Sequence, residues 1–220
     1  VVSDPDTQPG SVMHIDGAIH IGSPGDLAGG SQGEGDGEVN IVDLVKLIQY
    51  ILGTLPAPSD FALFVADING DEDLNVLDVI GLIDLILGEG PSKALVTGPT
   101  GPVIVSLGAM QIQTTGQTLI PISVETNGLL AAMEATLTFD PARLQPGTPL
   151  LTGLAQGMTI ESHIADGTMR IVIFSADGHS INAGNGALFH IPVTMINGSA
   201  AGASFTLSNV LVADAQAHMV

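Results

Sequence analysis

The chain runs to 220 residues, with 23 acidic side chains against 4 basic ones and a formal net charge of −19. So acidic a chain repels a phosphate backbone or an anionic membrane, both of which are held through lysine and arginine. Cysteine is absent, which excludes disulfides and thiol chemistry, and no apolar run approaches the ~20 residues of a membrane-spanning helix.

Residues 1–31 read as an N-terminal arm. Residues 1–10 are polar with two prolines and are expected to be extended. Residues 12–21 contain Asp16-Gly17, a dipeptide suited to the two-residue turn of a hairpin, and residues 22–33 are rich in glycine. Two roles stay open for the arm. It is an edge hairpin, or a donor strand that completes an exposed sheet edge in its own chain or a neighbour's.

Residues 67–78 are the most informative stretch. Asp67, Asn69, Asp71, Asp73, Asn75 and Asp78 place side-chain oxygen at loop positions 1, 3, 5, 7, 9 and 12. A hard cation such as Ca²⁺ takes about six to eight oxygens, and a twelve-residue loop supplies them at this spacing. Leu74 is apolar at position 8, and an apolar helix is predicted over Val79–Leu87.

The loop has a partner 35 residues upstream. Asp36–Gly53 aligns with Asp71–Gly88 with eight identities in eighteen, among them Asn40/Asn75, Asp43/Asp78, Leu47/Leu82 and Ile51/Ile86. The apolar matches recur at helical spacing, so loop and helix are duplicated. Each helix carries an apolar stripe, Leu44/Leu47/Ile48/Ile51 and Val79/Ile83/Ile86/Leu87, that it cannot bury alone. Gly53 and Gly88 are expected to cap the helices in the left-handed conformation. Twelve of the acids fall in residues 32–90 against one lysine, so the negative surplus lies where a cation would relieve it.

This duplicated loop and helix resembles the dockerin module, the calcium-dependent plug of cellulosome-type assemblies, over residues 32–90. The resemblance implies one firm Ca²⁺ loop and a second that is either weaker or vacant. Asp67, Asn69, Asp71, Asp73, Asn75 and Asp78 form the firmer site. Gln32, Glu34, Asp36, Glu38, Asn40 and Asp43 form the weaker one, because Gln32 and Glu34 stand at positions 1 and 3. In the firmer loop Glu72 occupies position 6, where a glycine ordinarily takes positive φ, at a cost of about 1 kcal/mol. The resemblance also implies that loop positions 10 and 11 face the partner. Those are Ile41, Val42, Val76 and Leu77, all apolar.

Residues 89–102 hold three prolines and three glycines, and 91–102 is expected to be a linker. Beyond it the apolar period changes from 3.6 to 2. Strands are predicted at 103–107, 110–113, 118–124, 131–139, 169–175, 187–195 and 204–212, with 213–220 as one further edge strand. Short alternating runs punctuated by Gly, Asn, Asp and Pro predict an antiparallel β-sandwich over 103–220. Gly116–Val124 (GQTLIPISV), Ala135–Leu144 (ATLTFDPARL) and Phe174–Leu188 (FSADGHSINAGNGAL) resemble segments of cohesins, the jelly-roll receptors that dockerins plug into. A generic Ig-like adhesion repeat is the competing reading. The expected fold class is therefore mainly β with a small α module: a cohesin-like or Ig-like sandwich plus a dockerin-like pair of EF-hand-type repeats.

Enzyme readings find little support. The six histidines are scattered, and neither a nucleophile elbow nor a phosphate-cradling loop occurs. With no tryptophan and one tyrosine, a stacking platform for sugars is not expected either. The opening at Val1 rather than Met is read as a processed chain, and few lysines with calcium loops predict a secreted or cell-surface protein. Three arrangements follow. The chain self-associates head to tail into filaments; or it is an adaptor that docks foreign cohesin and dockerin partners; or it closes on itself as a monomer with structural calcium.

Overall fold

The computed structural model describes residues 11–15, 18–29, 35–88, 103–114, 117–126, 130–177, 180–181, 184–196 and 202–214. The Asp16-Gly17 turn, Gln32, Glu34, the 91–102 linker and the 215–220 part of the last expected strand lie outside them. The chain divides into two compact units, Val1–Ala94 and Leu95–Val220.

The first unit opens with a hairpin of β1 (Ser11–Ile15) and β2 (Ala18–Gly22), paired antiparallel with Ile15 opposite Ala18. Gly22 sits so close to Phe61 and Val65 that a Cβ there would strike both side chains. Three helices follow: α1 (Ile41–Leu52), α2 (Asp60–Ala66) and α3 (Val76–Leu87). The two long helices start in the same way. Asn40 and Asn75 accept the N–H of Val42 and Leu77, while Asp43 and Asp78 reach back to the N–H of the capping asparagine. Each is a capping box that satisfies amides a helix start leaves orphaned. Both helices stop at a left-handed glycine, Gly53 (φ 73°) and Gly88 (φ 74°), as their sequence predicts. Leu44, Leu47, Ile48 and Ile51 of α1 are buried with Val79, Leu82 and Ile83 of α3 and with Phe61 and Val65 of α2.

Two sequence expectations change here. The second long helix begins at Val76 rather than Val79. Its buried set runs Val76, Leu77, Val79, Ile80, Leu82 and Ile83, while Leu87 is 49 % exposed. Apolar residues surround most of this helix, which is the pattern of a buried helix rather than a one-sided one. The short α2 has no counterpart in the first copy and is unanticipated. Its signal is nevertheless local: Ser59 caps the N-terminus, and Phe61, Ala62, Val65 and Ala66 make a buried stripe at helical spacing.

The second unit is a sandwich of two antiparallel sheets. One has the order β12 (Phe205–Ala213), β6 (Ala132–Phe139), β10 (Thr168–Phe174), β9 (Thr159–Ala165). The other runs β3 (Val103–Leu107), β5 (Thr118–Thr126), β11 (Gly184–Met195), β7 (Leu144–Pro146). The short β4 (Gln111–Ile112) pairs with β5 and β8 (Leu150–Leu151) with β11. Alternation drives the layering: Ile120, Ile122 and Val124 of β5 meet Met133, Ala135 and Leu137 of β6 and Met169, Ile171 and Ile173 of β10 in one core. Each fully buried aliphatic side chain contributes about 1.5–3 kcal/mol relative to exposure. The resemblance segment Ala135–Leu144 forms β6 and its exit turn, where the Asp140 carboxylate accepts the Ala142 N–H and pairs with Arg143 at 3.2 Å. Strands β7, β8 and β9 are absent from the sequence expectation.

Candidate calcium loops and partner surface

The second loop is held by its own acids. The Asp67 carboxylate, at the end of α2, accepts the N–H groups of Gly70 (2.8 Å), Asp71 (3.1 Å) and Glu72 (2.9 Å). Asp71 in turn takes the Asp73 N–H and the Asn69 side-chain amide. At the far end, Asp78 is fully buried. One of its oxygens accepts the N–H groups of Ile68 and Asn69, and the other that of Asn75. Thus Asp78 staples the start of the loop to the start of α3. Burial pushes its carboxyl up to about 6; the three N–H donors work against that rise and the Asp67 charge adds to it. Glu72 at position 6 has φ 70°, the left-handed turn expected there and rare for a residue with a Cβ.

The loop carries Asp67, Asn69, Asp71, Asp73 and Asp78 along the chain in the order a Ca²⁺ loop needs. Asn75 has another task, since its side-chain oxygen is the N-cap of α3. Among the described residues, no three acidic or imidazole groups converge at metal-holding distance. Their oxygens are turned to loop amides. A carboxylate keeps acceptor sites after taking such bonds, and the donors are of the hard, oxygen-only kind that Ca²⁺ takes.

In the first loop the bonds on the expected ligand Asp43 come from a segment further upstream. The amides that bond Asp43, the counterpart of Asp78, belong to Leu27 and Ala28, both at 2.7 Å from Oδ1. They therefore match Ile68 and Asn69, and Asp26 matches Asp67. Consistently, Asp26 Oδ2 accepts the N–H of Gly37 at 2.9 Å, as Asp67 Oδ2 accepts that of Glu72. Gly37 has φ 91°, the same left-handed turn. Gln32 and Glu34, the residues expected at positions 1 and 3, lie outside the described residues. Asp26 precedes Asp43 by 17 residues, against 11 from Asp67 to Asp78, so six residues are inserted. Ala28 O accepts the Asp36 N–H at 3.0 Å, which closes the base of the insertion. A turn through Ser23, Pro24 and Gly25 delivers Asp26: its N–H donates to Ser23 O, and Gly25 has the positive φ, 86°, that the third place of a type II turn requires. Lys46 donates to Leu27 O at 2.6 Å and ties this segment to α1. Burial pushes the Asp26 carboxyl up; the Gly37 and Asp36 N–H groups oppose the rise, and the Asp43 and Asp36 charges reinforce it.

The two copies also differ at their apolar faces. Ile41, Val42 and Val45 are 59, 57 and 49 % exposed. Their counterparts 35 residues on, Val76, Leu77 and Ile80, are 0, 6 and 2 % exposed. Val76 and Leu77 are therefore core residues here, which corrects the expectation that both copies face a partner. The sequence gives no warning, because aliphatic side chains at equivalent helical positions look alike whether covered or not.

Residues 34–90 match the Dockerin type I domain. These residues form a dockerin-like module. Dockerin type I domains are calcium-binding, non-catalytic protein–protein interaction modules, typically found in secreted cellulosomal proteins. No curated protein matches the chain. Solved structures similar to it include a non-cellulosomal cohesin from Archaeoglobus fulgidus, at 16 % identity over 55 % of this chain and 83 % of that one, with a TM-score of 0.44. Another is the sixth cohesin of scaffoldin B from Acetivibrio cellulolyticus in complex with a Cel5 dockerin, at 13 % identity over 55 % and 92 %, TM-score 0.44. A type II cohesin from Bacteroides cellulosolvens aligns at 15 % identity over 55 % and 91 %, TM-score 0.42. No helix among the described residues of the dockerin module or the sandwich is long and apolar enough to cross a membrane.

Proposed function

We propose that this chain is an extracellular, calcium-binding structural protein that self-associates head to tail into filaments. The observation that carries the reading is the asymmetry of the dockerin module, which exposes the apolar face of α1, Ile41, Val42 and Val45, and no equivalent on α3. One exposed plug per chain makes one outgoing contact. A sandwich whose β5 and β6 segments resemble cohesin supplies a different, receiving surface. Contacts between unlike surfaces that fail to close into a ring propagate as an open filament.

Calcium supports the plug. In the second loop Asp67, Asn69, Asp71, Asp73 and Asp78 would hold the ion, which supplies the positive charge that balances this acidic module. The chain's own part is the scaffold. Asp67 gathers the loop amides, Asp78 joins loop to helix, and α1 presents its apolar face.

Size-exclusion chromatography with light scattering tests this across a range of concentrations. The mass should grow with concentration in Ca²⁺ and fall to one chain with EGTA or in Val42→Asp. A single chain at every concentration in Ca²⁺ would overturn self-association. In that case foreign cohesin or dockerin modules become the partners to mix in.

A further inference from the structure

We propose that Asp26 is the first ligand of a second Ca²⁺ loop, built from Asp26–Ala28 and Asp36–Asp43 across the six-residue insertion. The proposal rests on the calcium reading of the module and assigns a residue outside the 34–90 stretch that matches the dockerin family.

Three independent observations point to a ligand. The first is the repeated bonding pattern: the two amides on Asp43, the position-6 amide on Asp26, and the left-handed Gly37 reproduce the second loop group by group. The second is an orphaned oxygen. Asp67 Oδ1 takes two loop amides, whereas Asp26 is 7 % exposed and its Oδ1 has no hydrogen-bond partner. A buried carboxylate oxygen left so is costly unless a cation satisfies it. The third is a cradle. Glycines stand at both ends of the insertion, Gly35 against the Asp26 carboxylate and Gly29 against that of Asp36, and a Cβ on either would collide with it. Backbone without a side chain thus packs directly against the two acids that would meet the ion.

The donor set also ranks the sites. Ala28 at position 3 brings no side-chain oxygen where the second loop has Asn69, so this site binds more weakly. On this proposal Gln32 and Glu34 fall within the insertion of the sequence and are not needed as ligands.

Calorimetric titration of the metal-free full chain with Ca²⁺ decides the matter, with circular dichroism to check that each variant folds. The wild type should bind two ions of unequal affinity. Asp67→Asn should lose the tighter one. Asp26→Asn, which keeps an acceptor for the Gly37 N–H, should lose the weaker one. Gly35→Ala changes no ligand residue and should weaken that same ion at least tenfold, by pushing the Asp26 carboxylate aside. Gln32→Ala/Glu34→Ala should retain both. The proposal is overturned if Asp26→Asn and Gly35→Ala bind like the wild type, or if Gln32→Ala/Glu34→Ala loses the weaker ion. One ion in the wild type, lost with Asp67→Asn, removes this inference and keeps the calcium reading. No ion at all removes both.

Discussion

The two copies of loop and helix share their caps, their stop glycines and the acid that staples loop to helix, yet they have parted in two respects. The first copy has taken a six-residue insertion and leaves its helix face bare; the second keeps a continuous loop and buries the same face. Duplication therefore preserves what backbone hydrogen bonding demands and releases what packing decides. Asp43 and Asp78 are each tied to three amides that have no other acceptor, and neither copy has dispensed with that acid. Val42 and Leu77 hold no polar group in place and have diverged in role.

The comparison can be broken most forcefully at the staples. Asp43→Ala and Asp78→Ala should each destabilise the metal-free module by about 3 kcal/mol or more, since buried N–H groups lose their only acceptor. Thermal unfolding would register this as a large fall in Tm in both copies; a loss confined to one copy would end the equivalence. At the apolar faces the copies should part. Leu77→Asp buries an unpaired charge and should cost several kcal/mol, while Val42→Asp lies in solvent and should change stability by less than about 0.5 kcal/mol.

The titration of Asp78 sharpens the contrast further. Its carboxyl sits near 6 in the folded chain, mainly through burial, against 3.8 in a free chain. Between those values the folded state holds a proton that the unfolded state has released, so stability falls as pH rises. Metal-free protein should therefore lose Tm from pH 4 to 6 and level off above it. Asp78→Asn should flatten that slope. The smallest effect concerns the position-6 turn. Glu72→Gly relieves a side chain at φ 70° and should gain roughly 1 kcal/mol, and Gly37→Ala should lose a similar amount.

Much of this architecture was legible in the chain. Asn40, Asn75, Gly53 and Gly88 act where short-range rules put them, and the second loop is contiguous, so its spacing could be read directly. The first loop is harder to read. A fixed offset of 35 aligns Asp36–Gly53 and points to Gln32 and Glu34, but it has no means of stepping over an insertion such as the one proposed after Asp26. The clue was there, since Asp26-Leu27 echoes Asp67-Ile68 and a Pro24-Gly25 turn precedes it. Strand β9 escaped for another reason: Thr159–Ala165 (TIESHIA) alternates poorly, and only pairing with β10 makes it a strand. The burial of Val76 and Leu77 is a tertiary fact with no local signature.

The entry into the first loop has a mechanical consequence. Strand β2 ends at Gly22, and four residues later the chain reaches Asp26. Gly25 anchors that stretch by donating to Val65 O at 2.7 Å, and Lys46 clamps Leu27 just beyond. Tension arriving through the hairpin thus meets α2 first, at Gly22 and Gly25, and then Asp26. A Ca²⁺ ion gripped there would act as a tensile latch that takes up the load once the α2 contacts give way.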